Sequence, residues 1–245
     1  MKEGVPLDHL RFAGNYAAKK KPDVIVCIGD FADMASLCYY DIGKKSFEGR
    51  RYQTDIEVAV AAMDMFMTPI WNEQNRLRRN KEKIWNPRLV LTLGNHEERI
   101  NKAVDNDAKL EGVLSIDNLR YKDFGFEVYP YLEPVCIDGI MYSHFFTSGV
   151  MGRPVTSATQ LLNKKHQSCI MGHVQGRQIA YATKADGSQI TAIFVGGFYQ
   201  HDEEYLGPQG NAQTWRGIWV FHQVKDGSFD EMPVSINFLK QKYDY

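Results

Sequence analysis

The sequence predicts an α/β domain of two mixed sheets with helices on the outside. Three observations predict it. Two short apolar runs, DVIVCI and RLVLTL, alternate with helical patterns in the first half of the chain. Continuous apolar runs of that length read as strands buried on both faces. The second half turns to short strand pairs around Asp138-Gly139, Asp186-Gly187 and Asp226-Gly227, which are hairpin turn signals. A βα order followed by a ββ order fits one mixed domain spanning 1–245. A length of 245 residues with 44% apolar and 24% charged residues suits one large domain and disfavours disorder.

Leu7 to Lys21 reads as an amphipathic helix, with Asp8 as an N-cap and three lysines in its last turn before Pro22. Asp23 to Ile28 is the first strand. Residues 54–84 read as a long helix, apolar first and strongly charged later. Arg88 to Leu93 is the second strand, and a polar helix follows Arg99. A short helix is expected over 115–123, strands near 126–129, 134–137 and 140–144, and a helix near 156–165. A buried run at 168–171 leads to hairpins at 177–183 with 189–195, and at 216–224 with 229–238.

Composition narrows the function. A net charge of −1 gives no global field for nucleic acid or an anionic membrane. No apolar run reaches the ~18 residues a membrane helix needs. The four cysteines are scattered without a CxxC pair, and most lie in or beside apolar runs. They read as reduced, packed thiols of a cytoplasmic protein.

The chemistry gathers at strand ends. Gly29-Asp30, Gly94-Asn95-His96 and Gly172-His173 each follow an apolar run, and a fourth run ends at His144. Ligands of open α/β sheets bind outside the carboxyl ends of the strands. Asp30, Asn95, His144 and His173 make a mixed oxygen and nitrogen set. That set suits Mn²⁺, Fe²⁺, Zn²⁺ or Ni²⁺ and lacks the thiolates of a structural zinc site. Each motif alone is weak, since Gly-Asp after a strand is often only a turn. Their order and placement carry the argument.

GDFAD (29–33), GNHEER (94–99), SHFF (143–146) and GHVQ (172–175), in that order over nearly the whole chain, resemble the calcineurin-like metallophosphoesterase superfamily. The resemblance implies a four-layer α/β/β/α sandwich around a two-metal site, with Mn²⁺ the leading cofactor. It implies that Asp30 bridges the metals and that Asn95, His144 and His173 complete the shell of the second. His96 would stand beside the scissile phosphate as the acid. The implied activity is hydrolysis of a phosphomonoester or phosphodiester by metal-activated water. Glu97 would orient His96 or cap the next helix. Arg99 would contact phosphate or stand as a solvated helix arginine.

Two departures fall on the first metal. The family opens with an Asp-x-His motif on a first strand, and this sequence shows none; the adjacent Asp8-His9 does not substitute. The expectation is a domain that begins one strand late, ~10–15 residues short. Pairing of two copies would cover such a sheet edge. The family's final Gly-His-x-His becomes Gly172-His173-Val174-Gln175, so Gln175 offers only a neutral carbonyl oxygen to the metal. A catalytically weakened binding module is therefore the rival reading.

The substrate class stays open. GDFADMAS lacks the arginine of the serine/threonine-phosphatase branch. Arg76, Arg78, Arg79, Lys81 and Lys83 could track a nucleic-acid backbone or form a solvated helix face. The aromatic segment from Phe198 to Trp215 could stack bases or pack over a sheet edge.

Overall fold

The computed structural model describes residues 1–244, which form a mixed α/β structure with several sheets. Helix α1 (Asp8–Lys20) buries Leu10, Phe12, Ala13 and Tyr16. Leu7, not Asp8, occupies the N-cap position and makes no side-chain cap. Asp8 lies in the first turn, where its charge complements the helix dipole. Lys21 ends the helix in the left-handed region at φ 52°, its N–H bonded to the Ala17 carbonyl.

Strands β1 (Val24–Cys27), β2 (Arg88–Thr92) and β3 (Glu127–Tyr129) form a parallel sheet in that order, with Val26 opposite Val90 and Leu91 opposite Val128. Helix α2 (Tyr52–Arg79) crosses between β1 and β2. It stops five residues before the expected end. Lys81 turns left-handed at φ 57°, and the Glu82 and Lys81 N–H groups return to the carbonyls of Leu77 and Arg78. This Schellman closure satisfies carbonyls that a straight continuation would use differently. Helix α3 (Glu98–Asn106) follows β2. The expected helix over 115–123 shrinks to one 3₁₀ turn, Ile116–Leu119, capped by Ser115.

The second sheet runs β4 (Val135–Ile137), β5 (Ile140–Ser143), β6 (Cys169–Met171), β8 (Gln189–Phe194) and β7 (Gln178–Thr183). Its centre is parallel and its two edges antiparallel. Helix α4 (Ala158–Lys165), capped by the Ser157 hydroxyl, makes the crossover from β5 to β6. Helix α5 (Gly207–Gln213) precedes the hairpin of β9 (Gly217–Lys225) and β10 (Ser228–Ser235). The strand expected to reach 238 ends at Ser235. There the hydroxyl accepts from the Phe238 N–H and starts helix α6 (Ile236–Tyr243). A helix cap overrides the strand pattern of the last residues.

Strand alternation assigns the faces. Ile25, Cys27, Leu89 and Leu91 face the core of α1 and α2 with Leu10, Met63 and Met67. Val24, Val26 and Val90 face Ile140, Tyr142, Ile170 and Ile193 of the second sheet. Cys169, Met171, Ala192 and Phe194 pack on Leu161 and Leu162 of α4. Burying one such leucine or isoleucine is worth ~1.5–3 kcal/mol. The same alternation corrects one cysteine. Val135 and Ile137 point inward, so Cys136 between them is exposed, whereas Cys38 and Cys169 are buried. Burial pushes the Cys169 thiol up to about 12. No helix among the described residues is long and apolar enough to cross a membrane.

His9 is fully buried on α1, edge-on to Phe198. Neither ring nitrogen makes a well-formed hydrogen bond. Burial, the largest influence, lowers its pKa to about 4, and the Phe198 backbone and Gln200 offset only part of that. Between pH 6.5 and 4 the unfolded chain therefore binds a proton that the folded chain refuses. Stability must fall as pH drops through that window, by up to ~3 kcal/mol from this residue. In urea unfolding at pH 7 and pH 5, His9→Leu is expected to lose less stability on acidification than the wild type. Equal losses would remove His9 as the cause.

Candidate metal centre

The sequence-predicted residues Asp30, Asn95, His144 and His173 come together at the carboxyl ends of β1, β2, β5 and β6. His144 is buried, and its position is set from the first sheet. Its Nδ1 lies 3.0 Å from the Ile28 carbonyl. A carbonyl only accepts, so Nδ1 carries the proton and Nε2 presents a lone pair inward. That Nε2 is 3.0 Å from Asn95 Oδ1, 3.2 Å from His173 Nδ1 and 3.2 Å from Asp30 Oδ2. Asn95 Oδ1 is 2.9 Å from His173 Nδ1. The Asp30, His144 and His173 ligand atoms all lie within 4.8 Å of one another.

Asp30 Oδ2, Asn95 Oδ1 and the His144 Nε2 lone pair crowd one point and repel one another. A proton on His173 Nδ1, a second proton on His144 or a cation relieves that repulsion. Burial disfavours a charged His144, and the Asp30 carboxylate outweighs burial, so its pKa is raised. His173 is lowered, first by burial and then by His144. Burial works against the Asp30 carboxylate, yet His144 and His96 hold it well below the usual carboxylate range. A tetrahedral ion with bonds of 2.0–2.2 Å sets its ligands about 3.4 Å apart. The separations of 2.9–3.2 Å among His144, Asn95, His173 and Asp30 need to open only a few tenths of an ångström to match, so the residues fit a divalent cation.

Backbone conformation delivers these atoms. Asp30 and His173 both adopt positive φ, 53° and 61°. Non-glycine residues pay local strain there, and such strain concentrates at functional sites. A Cβ on Gly94 would collide with the Asp30 carboxylate and backbone nitrogen, and one on Gly29 would sit 2.7 Å from Gly94 N and 2.8 Å from His144 Nδ1. Only glycine lets the two loops approach this closely.

Glu97 does neither of the jobs expected of it. It is fully buried at the start of α3 and makes no side-chain cap. Its Oε2 accepts from the Asp30 and Gly94 N–H groups, each at 2.9 Å, and its Oε1 accepts from the Ala32 N–H at 2.9 Å and the Tyr121 hydroxyl at 3.3 Å. It clamps the loop after β1 to the loop after β2. The His96 N–H adds a second tie by donating to Asp30 Oδ1 at 2.9 Å.

His96 stands beside the cluster, its Nε2 3.8 Å from Asp30 Oδ2. Its Nδ1 donates to Asp33 Oδ1 at 2.8 Å. Burial opposes the Asp33 carboxylate, but His96, the amino terminus and Arg99 together outweigh it and lower it to about 2. Asp33 is the site residue that sequence reasoning missed, although it closes the quoted GDFAD motif. Arg99 is spent on the same loop, donating to the carbonyls of Asp33 and Met34 at 2.7 and 3.3 Å. Gln175 Oε1 accepts from the Tyr199 hydroxyl at 3.0 Å, turned toward the 198–215 segment. Comparisons with family models, with curated proteins and with solved structures find no match to this chain.

Replacing Glu97 by glutamine keeps its shape but sets an amide NH₂ against backbone donors. A hydrogen bond to a charged group is worth ~1.5–3 kcal/mol, and a stranded buried donor costs a similar amount. Glu97→Gln is therefore expected to lose ~3 kcal/mol in urea unfolding. A loss under ~1 kcal/mol would mean that the clamp does not hold the two loops.

Proposed function

We propose that this chain is a divalent-metal-dependent phosphoesterase of the calcineurin-like metallophosphoesterase type. One observation carries the reading: Asp30 Oδ2, Asn95 Oδ1, His144 Nε2 and His173 Nδ1 converge from four strand ends, with His96 at their side. The packing of α1 and α2 on one sheet, of the two sheets on each other, and of α4 on the far face supports a four-layer α/β/β/α order. The nitrogen and oxygen set favours Mn²⁺, with Fe, Zn and Ni within its range.

When bound, the cation would polarise a phosphoryl oxygen and make water a better nucleophile at neutral pH. The chain's own residues do the rest. Asp30, Asn95, His144 and His173 fix the position of the charge. His96 lies within reach of a phosphoester seated on the cluster, and in its doubly protonated form it donates from Nε2 to the leaving oxygen. Asp33 orients the ring through Nδ1 and stabilises the imidazolium. Arg99 holds the Asp33 loop in place.

A second reading, a binding or regulatory module with weak turnover, draws on Gln175. Its carboxamide oxygen serves Tyr199, so the four convergent groups form a one-ion cluster. Metal content by mass spectrometry, measured alongside hydrolysis of p-nitrophenyl phosphate and its bis-ester with Mn²⁺, separates the readings. One ion per chain with turnover supports the enzyme. One ion without turnover supports the module. Neither ion nor turnover overturns both.

His96→Ala is expected to lower kcat by ~10²–10⁴-fold with metal content unchanged, whereas His144→Ala loses the ion itself. Asp33→Asn is expected to cost ~10–100-fold in kcat at unchanged metal content. Full activity of Asp33→Asn would show that the His96 hydrogen bond is structural only.

A further inference from the structure

The loop that leaves the cluster after Asp33 carries a surface of its own. It is pinned at both ends. The Ser36 N–H donates to Asp55 of α2 at 2.8 Å, and Arg50 donates to the Ala35 carbonyl at 3.0 Å and to Asp41 at 2.9 Å. Leu37 packs into the helical core. Between these pins Tyr39 and Tyr40 are 80% and 83% exposed, and Ile42 is 63% exposed. The two rings lie 6.3 Å apart at 78°. A single exposed apolar side chain needs no explanation, but three within four residues on a held turn form a patch.

The charge beside the patch is positive. Residues 36–51 carry Lys44, Lys45, Arg50 and Arg51 against Asp41 and Glu48. Lys44 and Arg50 are paired with Asp41. Lys45 and Arg51 are exposed and pair with no carboxylate among the described residues. The basic stretch from Arg76 to Lys83, at the end of α2, stands elsewhere, and only Arg76 of its five cations pairs with carboxylates among the described residues. Arg76 pairs with Glu73 and Glu82, and the nearby Trp85 indole donates to the Pro22 carbonyl, at the amino ends of β1 and β2. That end of the sheet is opposite the cluster.

We propose that Tyr39 and Tyr40 form a stacking platform for the bases of a single-stranded nucleic acid whose phosphodiester is presented to the cluster. The proposal rests on the phosphoesterase reading. Aromatic faces take any unstacked base, and Lys45 and Arg51 match its phosphates. Six residues from Asp33 to Tyr39 span at most ~20 Å, so a short strand reaches from platform to cluster. Hydrolysis there forms one P–O bond to the water oxygen and breaks the P–O bond to the leaving sugar oxygen. That oxygen takes a proton from His96, giving one phosphomonoester end and one hydroxyl end. A duplex keeps its bases stacked on one another and has little to offer the rings.

Fluorescence anisotropy with a labelled oligothymidylate, in EDTA so that nothing is cleaved, tests the platform apart from the chemistry. The whole chain is expected to bind the single strand more tightly than a duplex of equal length. The Tyr39→Ala/Tyr40→Ala double variant is expected to bind at least about tenfold more weakly, and Tyr39→Phe/Tyr40→Phe to bind like the wild type. An unchanged thermal midpoint in the alanine variant assigns its loss to the rings. Binding of that variant within about twofold of wild type, or duplex binding as tight as single-strand binding, overturns the proposal. Bis-p-nitrophenyl phosphate hydrolysis by the wild type reads the hydrolase separately. If it fails while the alanine variant has lost the oligonucleotide, the platform stands and the hydrolase reading falls.

Discussion

A single buried carboxylate holds the centre together. Glu97 accepts from three backbone N–H groups in two loops and from the Tyr121 hydroxyl. Turns at strand ends leave backbone donors without ladder partners, and burying them bare costs free energy. Glu97 answers several of them at once. Because it does, Asp30 can take an unfavourable φ, Gly94 can press against it, and His96 can follow in the turn that leads into α3. Tyr121 backs the clamp from the core. Burial and the neighbouring Glu97 raise its pKa well above the ordinary value, so it stays a donor.

The clamp serves an arrangement that is unfavourable in itself. Protein interiors avoid lone pairs that face one another. Here Asp30, Asn95 and His144 crowd acceptor atoms beside His173, and three of the four groups are fixed from behind: His144 by the Ile28 carbonyl, Asp30 by the His96 N–H, His173 by its strained backbone and the Phe145 ring at 4.9 Å. Such pre-set acceptors in a chain of net charge −1 are a local electrostatic trap, not a consequence of overall charge.

Much of this was legible in the sequence, for a physical reason. A buried parallel strand must be apolar throughout, and the polar residue after its last glycine marks the tip where ligands bind. That rule pointed to Asp30, Asn95, His96 and His173, and the tip of the apolar run 140–143 pointed to His144. It could not reach pairings between distant segments. Glu97 looked like a helix residue because its partners at 30 and 32 lie far back in the chain. Asp33 stood within a quoted motif but had no visible partner until the turn after β2 placed His96 beside it. The tie of Arg99 to the Asp33 and Met34 carbonyls was out of reach as well, because main-chain acceptors carry no sequence signal. Local competition explains the rest: a Ser235 cap ended β10, and a left-handed Lys81 ended α2.

The parallel sheet has a kinetic consequence. β1 and β2 pair only after the chain has crossed from Cys27 to Arg88, and β2 and β3 only after Thr92 to Glu127. Closing loops of that length must precede any reward from pairing, so such sheets fold slowly. The cluster joins tips of both sheets, with His144 bonded across the seam to Ile28. It therefore belongs to the last folding steps, after both sheets have formed and docked. Until β2 arrives, both edges of β1 lack a strand partner, and in the finished sheet β1 remains an end strand, the kind of edge through which chains aggregate.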